Sequence, residues 1–422
     1  MKKYIIMGEA CGVGGWQLYC EARCVYLHEK GFEVFMLFSN MENPIKLEGF
    51  ANVHCCNFMW ISRSPNLFTK KQITRNINEV LNKISYDTMD DVFVESTNVL
   101  NAFWGEMIAK ETNGSHFCYL LHSHFNFVQN IPSDILDFFS YKYDKHCLGG
   151  MSKLTLPDLF KNYRVIPAGK EYGMSAQGRK SFSDSDEYND VLNKAKIKIG
   201  DDGLVIGYFG KLDKPHFLKL CKELVSYVRN YPEKKFLFIS VGSSNDGKAE
   251  KEQNALKNDC PNLEVLNIPG LYPLPVSLFK NMNVCIGSWG SASVAARAGV
   301  KTIRLVDDVD VIPQGVIGVT LKTQPYASCA YEKKPLSYWL DKVLFDEEFN
   351  RLPYIAPKEP VDFHLTHESN DQIIKPFNQE KGEYYDTCNL GLNRRKDSII
   401  KIGYSLVGYK ITEKIISKTK KG

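Results

Sequence analysis

Two lysines and a run of serines suggest the chemistry. Lys211 and Lys214 follow directly on an apolar run, Leu204 to Phe209, in the string GKLDKPH. Further along, the apolar run Val284-Cys285-Ile286 leads into GSWGSAS, which spans residues 287–293. A stretch from Val294 to Ala298 then reads as helix, with Gly299 as its cap, and Lys301 to Val306 as a strand. A helix N-terminus has unpaired N–H groups and partial positive charge, so it suits phosphate. Glycine in the same loop lets backbone approach a ligand closely. Gly210, Lys211, Lys214, Gly242, Ser243, Ser288, Gly290, Ser291 and Ser293 are therefore the expected diphosphate-binding set. The plain alternative is N-capping by a serine beside solvated surface lysines.

A second set lies in the first half. An expected strand, Tyr4 to Met7, enters GEACGVGGW, which holds Gly12, Gly14 and Gly15 before a helix. The spacing is not GxGxxG, so a dinucleotide fingerprint fits poorly. The functional reading is a loop that seats a substrate over the sheet edge, and the plain reading is a tight turn. Val92 to Val94 is expected as a strand ending in Glu95-Ser96-Thr97, and Phe117 to Leu121 as one ending in His122-Ser123-His124. In an open parallel sheet, ligands bind beyond the carboxyl ends of the strands. Glu95, His122 and His124 thus fall at the edge where chemistry occurs, or are inert polar strand ends.

These residues need elements to hold them. A strand, a glycine loop, a helix from about Trp16 to Lys30 and a strand from Phe32 to Phe38 make a βαβ unit. Helices follow at about Thr69 to Ile84 and Leu100 to Lys110, and Tyr163 to Ile166 reads as the last strand of this half. The pattern restarts at Leu204 to Phe209, with a helix from about Pro215, strands at Phe236 to Val241 and Leu263 to Leu266, and a helix from Leu274 to Asn281. Lys333 to Phe349 reads as helix, and beyond Pro353 the pattern fades. The expected architecture is α/β, two Rossmann-like domains facing across a cleft, a favoured place for ligands. The expected divisions are 1–170 as an acceptor-side domain, 171–202 as linker or surface excursion, 203–350 as the domain of an activated nucleotide donor, and 351–422 as an extension with a basic tail.

Composition bounds the rest. At 422 residues, 44% hydrophobic and 24% charged, the chain fits two globular domains. A net charge of +4 with no Lys/Arg-rich block interleaved with aromatics argues against nucleic acid. Glu9 interrupts the first apolar run, so a signal peptide is not expected, and no run is long enough for a bilayer span. The 12 cysteines form no CxxC pair and read as reduced thiols of a cytosolic protein. His364 and His367 lie outside usual zinc spacing, and neither a metal nor a cofactor is expected.

At this point a resemblance becomes specific. GVGGWQLYCEARCVYLHEKGFEV looks like the opening of the two-domain GT-B glycosyltransferases. YRVIPAG resembles the strand closing their first domain, VIGYFGKLDK the "G-R-L…K" strand end of their second, and NMNVCIGSWGSASVAARAGVKTI their donor loop. The similarity covers about residues 1–310, in order, and is nearest glycosyltransferase family 4. It implies transfer of a sugar from a nucleotide-diphosphate sugar to a glycan or lipid-linked acceptor in surface polysaccharide assembly. Lys211 stands for the usual arginine, keeping the charge but losing the bidentate fork. The family's lysine falls near His216, and its phosphate role is carried to Lys214. Both donor-loop glutamates are missing, Val294 standing where the second belongs, so the donor ribose has no assigned partner.

Three readings follow: a metal-independent transferase, a non-hydrolysing nucleotide-sugar epimerase, and an inactive nucleotide- or glycan-binding relative supporting a partner enzyme. If the transfer inverts, His122 is the expected general base, with Glu95 second. The tail, residues 393–422, has nine Lys/Arg against Asp397 and Glu413, and Ile400, Tyr404, Val407, Ile411 and Ile415 share one helical face. It reads either as a basic amphipathic helix on an anionic membrane or as a helix packed on the body before a basic tail. The protein is expected in the cytoplasm, with peripheral contact to the membrane's inner face if the first holds.

Overall fold

The computed structural model describes residues 1–8, 15–39, 53–121, 131–150, 155–166, 182–244, 247–270, 274–306, 310–322, 329–357, 382–391 and 397–419. The chain divides into two compact units, Met1–Gly178 with Asp362–Gly422, and Arg179–Val361.

The first unit holds strands β1 (Lys2–Gly8), β2 (Glu33–Phe38), β3 (Val53–Asn57), β4 (Asp91–Ser96), β5 (Ser115–Leu120) and β6 (Leu148–Gly150). They form one parallel sheet in the order β3-β2-β1-β4-β5-β6. Helices α1 (Gly15–Glu29), α2 (Lys70–Lys83), α3 (Val99–Glu111), α4 (Ser133–Asp144) and α5 (Thr155–Phe160) accompany it. Alternate residues of β1 go to opposite faces. Ile5 and Met7 join a core with α2 and α3, while Tyr4 and Ile6 join one with α1. Burial on both faces explains why these strands read as continuous apolar runs. Thr69 caps α2 through a reciprocal bond with Gln72.

The second unit repeats the plan. Its strands are β8 (Leu204–Phe209), β9 (Phe236–Val241), β10 (Leu263–Ile268), β12 (Val284–Ser288), β13 (Thr302–Leu305) and β14 (Pro313–Ile317), after a short β7 (Phe182–Ser183) that pairs with β11 (Leu274–Pro275). The order is β10-β9-β8-β12-β13-β14, parallel except that β14 runs against β13. In chain order within each unit, both sheets read 3-2-1-4-5-6, the doubly wound Rossmann sequence. Helices α6 (Asn189–Ile199), α7 (Pro215–Arg229), α8 (Lys248–Asp259), α9 (Val276–Lys280), α10 (Trp289–Arg297), α11 (Leu336–Leu344) and α12 (Glu347–Arg351) complete it.

Several expectations change. Tyr163 to Ile166 is not a strand, and residues read as linker contain α6, whose Leu192 and Ile199 are buried in the second unit's core. Leu274 to Asn281 begins as β11 before α9, and 333–349 is divided between α11 and α12. The tail forms two helices, Asp397–Leu406 and Tyr409–Thr419, broken at Gly408, whose φ of +82° suits glycine. Ile400 and Tyr404 face the first unit's core, while Val407, Ile411 and Ile415, expected on the same helical face, are exposed.

A buried polar cluster joins distant parts of the first unit. Glu106 on α3 accepts from Lys142 Nζ at 2.9 Å and pairs with His116 Nδ1 at 2.6 Å. His116 Nε2 lies 2.9 Å from Ser96 Oγ, and Glu106 Oε1 accepts from the Tyr385 N–H at 2.9 Å. Burial, with Lys142 alongside, pushes His116 down to about 4. Burial works against ionised Glu106, but Lys142 and His116 outweigh it and hold it at about 2. Neutral His116 then carries its proton on Nδ1, toward Glu106.

Stability depends on pH accordingly. The unfolded chain protonates this histidine first, near its ordinary 6.5, so stability is full above that value and falls as pH drops toward 4. Glu106 continues the loss from 4.5 toward 2. Between about pH 7.5 and pH 5, the denaturation midpoint of the first unit should drop, by a stability on the order of 1 kcal/mol. In His116→Gln the drop should be smaller. An equal drop would remove His116 as its source.

Candidate functional site

Strand order reverses in the second sheet between β8 and β12. The chain leaves β8 through α7 toward β9, and leaves β12 through α10 toward β13, the opposite way. Their carboxyl ends therefore open into the crevice where doubly wound sheets take ligands. Lys214, the cap residue of α7, sends its Nζ across this point to donate to Ser288 Oγ at 2.9 Å. Ser288 ends β12 and precedes α10, with extended backbone and no cap bond from its side chain. It is 1% exposed, while Lys214 is half-buried. Two residues 74 apart in sequence, each expected from its position alone, thus meet.

GSWGSAS is not a loop. β12 extends through Ser288 and α10 begins at Trp289, five residues before the expected start at Val294. The reversal is made at Trp289, whose φ is +50°. A bulky residue held there costs on the order of 1–3 kcal/mol. Gly290, Ser291 and Ser293 consequently lie in the first turns of α10. Gly290 is exposed, Ser293 is half-buried, and Ser291 Oγ donates to the Ser288 carbonyl at 2.7 Å. Trp289 was not among the expected site residues. Its signal was a lone large aromatic in a run of small residues. Its ring is half-buried, with the Arg304 guanidinium 5.9 Å from its centroid.

The neighbouring strand ends are stitched by backbone. Gly210 N–H donates to Val241 O at 3.2 Å, Leu212 N–H to Ser243 O at 3.2 Å, and Gly242 N–H to Ile268 O at 2.9 Å. Ser243 is exposed, and its Oγ accepts from the Gly270 N–H at 3.1 Å. Gly242 sits so close to Gly210 that a Cβ there would lie 1.9 Å from the Gly210 carbonyl oxygen. Lys211 is exposed, and Tyr208 hydroxyl approaches its carbonyl at 3.4 Å. His216 is fully buried, 3.0 Å from the Tyr208 hydroxyl. The cation at the head of α7 is accordingly Lys214. Among the described residues no group of three His, Cys, Asp or Glu is placed to hold a metal ion.

In the first unit, Glu95 lies inside β4 and not past its end. It is fully buried, accepting from Tyr4 at 2.5 Å, from Arg23 at 3.1 Å and from Tyr19. A general base must reach the proton it removes, and this carboxylate faces core donors. Gly15 is the first residue of α1. Gly12, Gly14, His122 and His124 lie outside the described residues.

No family model matches the chain. No curated protein matches it either. Solved structures do match. HepE from Anabaena, in complex with UDP and glucose, aligns with a TM-score of 0.55 at 11% identity, over 89% of this chain and 99% of that one. A glycosyltransferase from Rickettsia africae gives 0.52 at 12%, over 96% and 98%. The UDP-GlcNAc 2-epimerase of Neisseria meningitidis, bound to UDP-GlcNAc, gives 0.51 at 13%, over 90% and 100%. The chain has the two-domain, Rossmann-like GT-B architecture.

The stitched strand ends make a paired test. Gly242→Ala forces a methyl into backbone and should cost about 1–3 kcal/mol. Gly270→Ala, whose methyl would meet nothing nearer than 3.7 Å, should leave the urea midpoint almost unchanged. Equal midpoints for the two variants would contradict the close approach of Gly242 to Gly210.

Proposed function

We propose that the chain is a nucleotide-sugar-dependent glycosyltransferase of the family 4 kind. Its second unit takes the donor. The supporting observation is the Lys214–Ser288 pairing at the switch point, beside the start of α10. As the glycosidic bond to the diphosphate breaks, negative charge grows on the leaving phosphate oxygens. Lys211, Lys214 and the first N–H groups of α10 oppose that charge. Elsewhere metal ions perform this task, and here the proposed reaction calls for none. Gly210, Gly242, Ser243, Gly290, Ser291 and Ser293 let backbone and hydroxyls approach the same group. HepE and the Neisseria enzyme hold UDP or a UDP-sugar, which makes uridine diphosphate the first nucleotide to try.

The first unit takes a glycan or lipid-linked acceptor, of the kind used in surface polysaccharide assembly, with Gly12, Gly14, Gly15 and His124 on its side. If transfer inverts the anomeric centre, His122 removes the acceptor's proton. If it retains, His122 positions substrate. The enzyme works in the cytoplasm, and its tail, residues 393–422, meets an anionic membrane surface. The fold likeness to an epimerase favours one alternative, in which a nucleotide sugar is converted without any acceptor.

Calorimetry with uridine, guanosine and cytidine diphosphates should find one that binds well. Lys211→Ala and Lys214→Ala should each weaken it about tenfold or more, the loss of one charge-assisted bond. If no nucleotide binds, the transferase reading fails. Binding without turnover across a broad acceptor panel would identify an inactive relative, and turnover without acceptor an epimerase.

A further inference from the structure

The two C-terminal helices present different faces. Inward, Tyr404 and Tyr409 are buried, and Tyr404 stacks on Phe68 with ring centroids 5.0 Å apart. Gln72 Nε2 donates to the Tyr404 carbonyl at 2.9 Å, and Arg63 pairs with Glu413 at 2.7 Å. The pair is thus fastened to the first unit. Outward, it exposes aliphatic side chains. Ile399, Ile402 and Leu406 are 73%, 58% and 78% exposed, and their spacing puts them on the side of the helix opposite Tyr404. Val407, Ile411 and Ile415 are 46%, 56% and 54% exposed. Six of the sixteen large exposed hydrophobics among the described residues therefore lie between residues 399 and 415. An apolar concentration of this kind marks an interaction surface.

Charge selects the partner. Residues 393–422 carry nine Lys/Arg against Asp397 and Glu413, and Glu413 is already paired with Arg63. A second copy pairing through the same stretch would bring two chains' worth of this like charge together. An anionic lipid surface suits both features, since aliphatic side chains enter the acyl boundary and lysines meet phosphates. Lys401 and Lys414 are exposed on these helices. Helices of 10 and 11 residues are too short to span a bilayer, and no helix among the described residues is long and apolar enough to do so.

We propose that this helical pair lies in the plane of an anionic membrane and docks through Ile399, Ile402 and Leu406. The inference deepens the membrane contact proposed above. It replaces electrostatic contact by a basic tail with insertion of a defined aliphatic row on a rigidly held helix.

The test uses the full chain and vesicles of phosphatidylglycerol and phosphatidylcholine, with pure phosphatidylcholine as the control. The protein should pellet with the anionic vesicles only. A variant combining Ile399→Ser, Ile402→Ser and Leu406→Ser should bind them at least about tenfold more weakly. It should keep its thermal midpoint and its nucleotide-binding heat, because the three side chains face away from the core. Should it fold poorly, Leu406→Trp serves instead: its added emission should be quenched by brominated phosphatidylglycerol. The proposal is overturned if the intact chain stays in the supernatant, if the triple variant pellets like the parent, or if the emission added by Leu406→Trp is untouched. It is equally overturned if the triple substitution dissolves a dimer in light scattering and leaves vesicle binding unchanged. A protein that binds vesicles but no nucleotide refutes the transferase reading alone, and the reverse outcome refutes this one alone.

Discussion

Lys214 and Ser288 meet because strand order reverses between β8 and β12. The rest of the second unit's carboxyl edge depends on that reversal. It sends α7 and α10 to opposite sides and leaves their first turns beside one point. The hydrogen bond then fixes a long, flexible cation against a helix start, where a lysine otherwise gives up side-chain freedom to act. Around it, backbone bonds from Gly210, Leu212 and Gly242 tie three strand ends together, so the edge is built mainly from main chain. Trp289 belongs to the same economy of space. With φ at +50° it turns the chain from strand to helix without a loop.

The first unit solves a different problem. It buries acidic and basic side chains, and each has partners from distant parts of the chain. Glu95 on β4 is met by Tyr4 of β1 and by Tyr19 and Arg23 of α1. Glu106 is met by Lys142, His116 and the backbone of Tyr385. A buried charge without partners is strongly destabilising, so these residues constrain which helices can pack where. The Tyr385 contact, with Thr387 Oγ1 donating to Phe103 O at 2.8 Å, also holds a late segment of chain to the first unit. Acid chemistry and the route of the C-terminus are thereby linked through one carboxylate.

Much of the architecture was legible in the residues. Strands buried on both faces must be apolar throughout, and Leu204–Phe209 and Phe236–Val241 appear at the bounds their runs imply. Thr69 and Pro215 mark their helix starts by capping chemistry and by the proline's missing N–H. Lys214 and Ser288 were each visible as polar residues just past an apolar run, although nothing in the sequence paired them. Local pattern alone thus determined that there are two doubly wound sheets and which connections hold polar groups.

What tertiary structure decided concerns direction and partnership. Glu95 looked like a strand end because polar residues usually terminate apolar runs, yet three donors from other elements draw it inside. GSWGSAS looked like a loop because small residues favour loops, yet a single left-handed residue suffices to start α10. In the tail, helical period put Tyr404 with Ile411 and Ile415. The break at Gly408 and the contacts of Tyr404 with Phe68 and Gln72 separated them, leaving Ile399, Ile402 and Leu406 outside. Each of these depends on contacts between residues far apart in the chain, and periodicity carries no term for those.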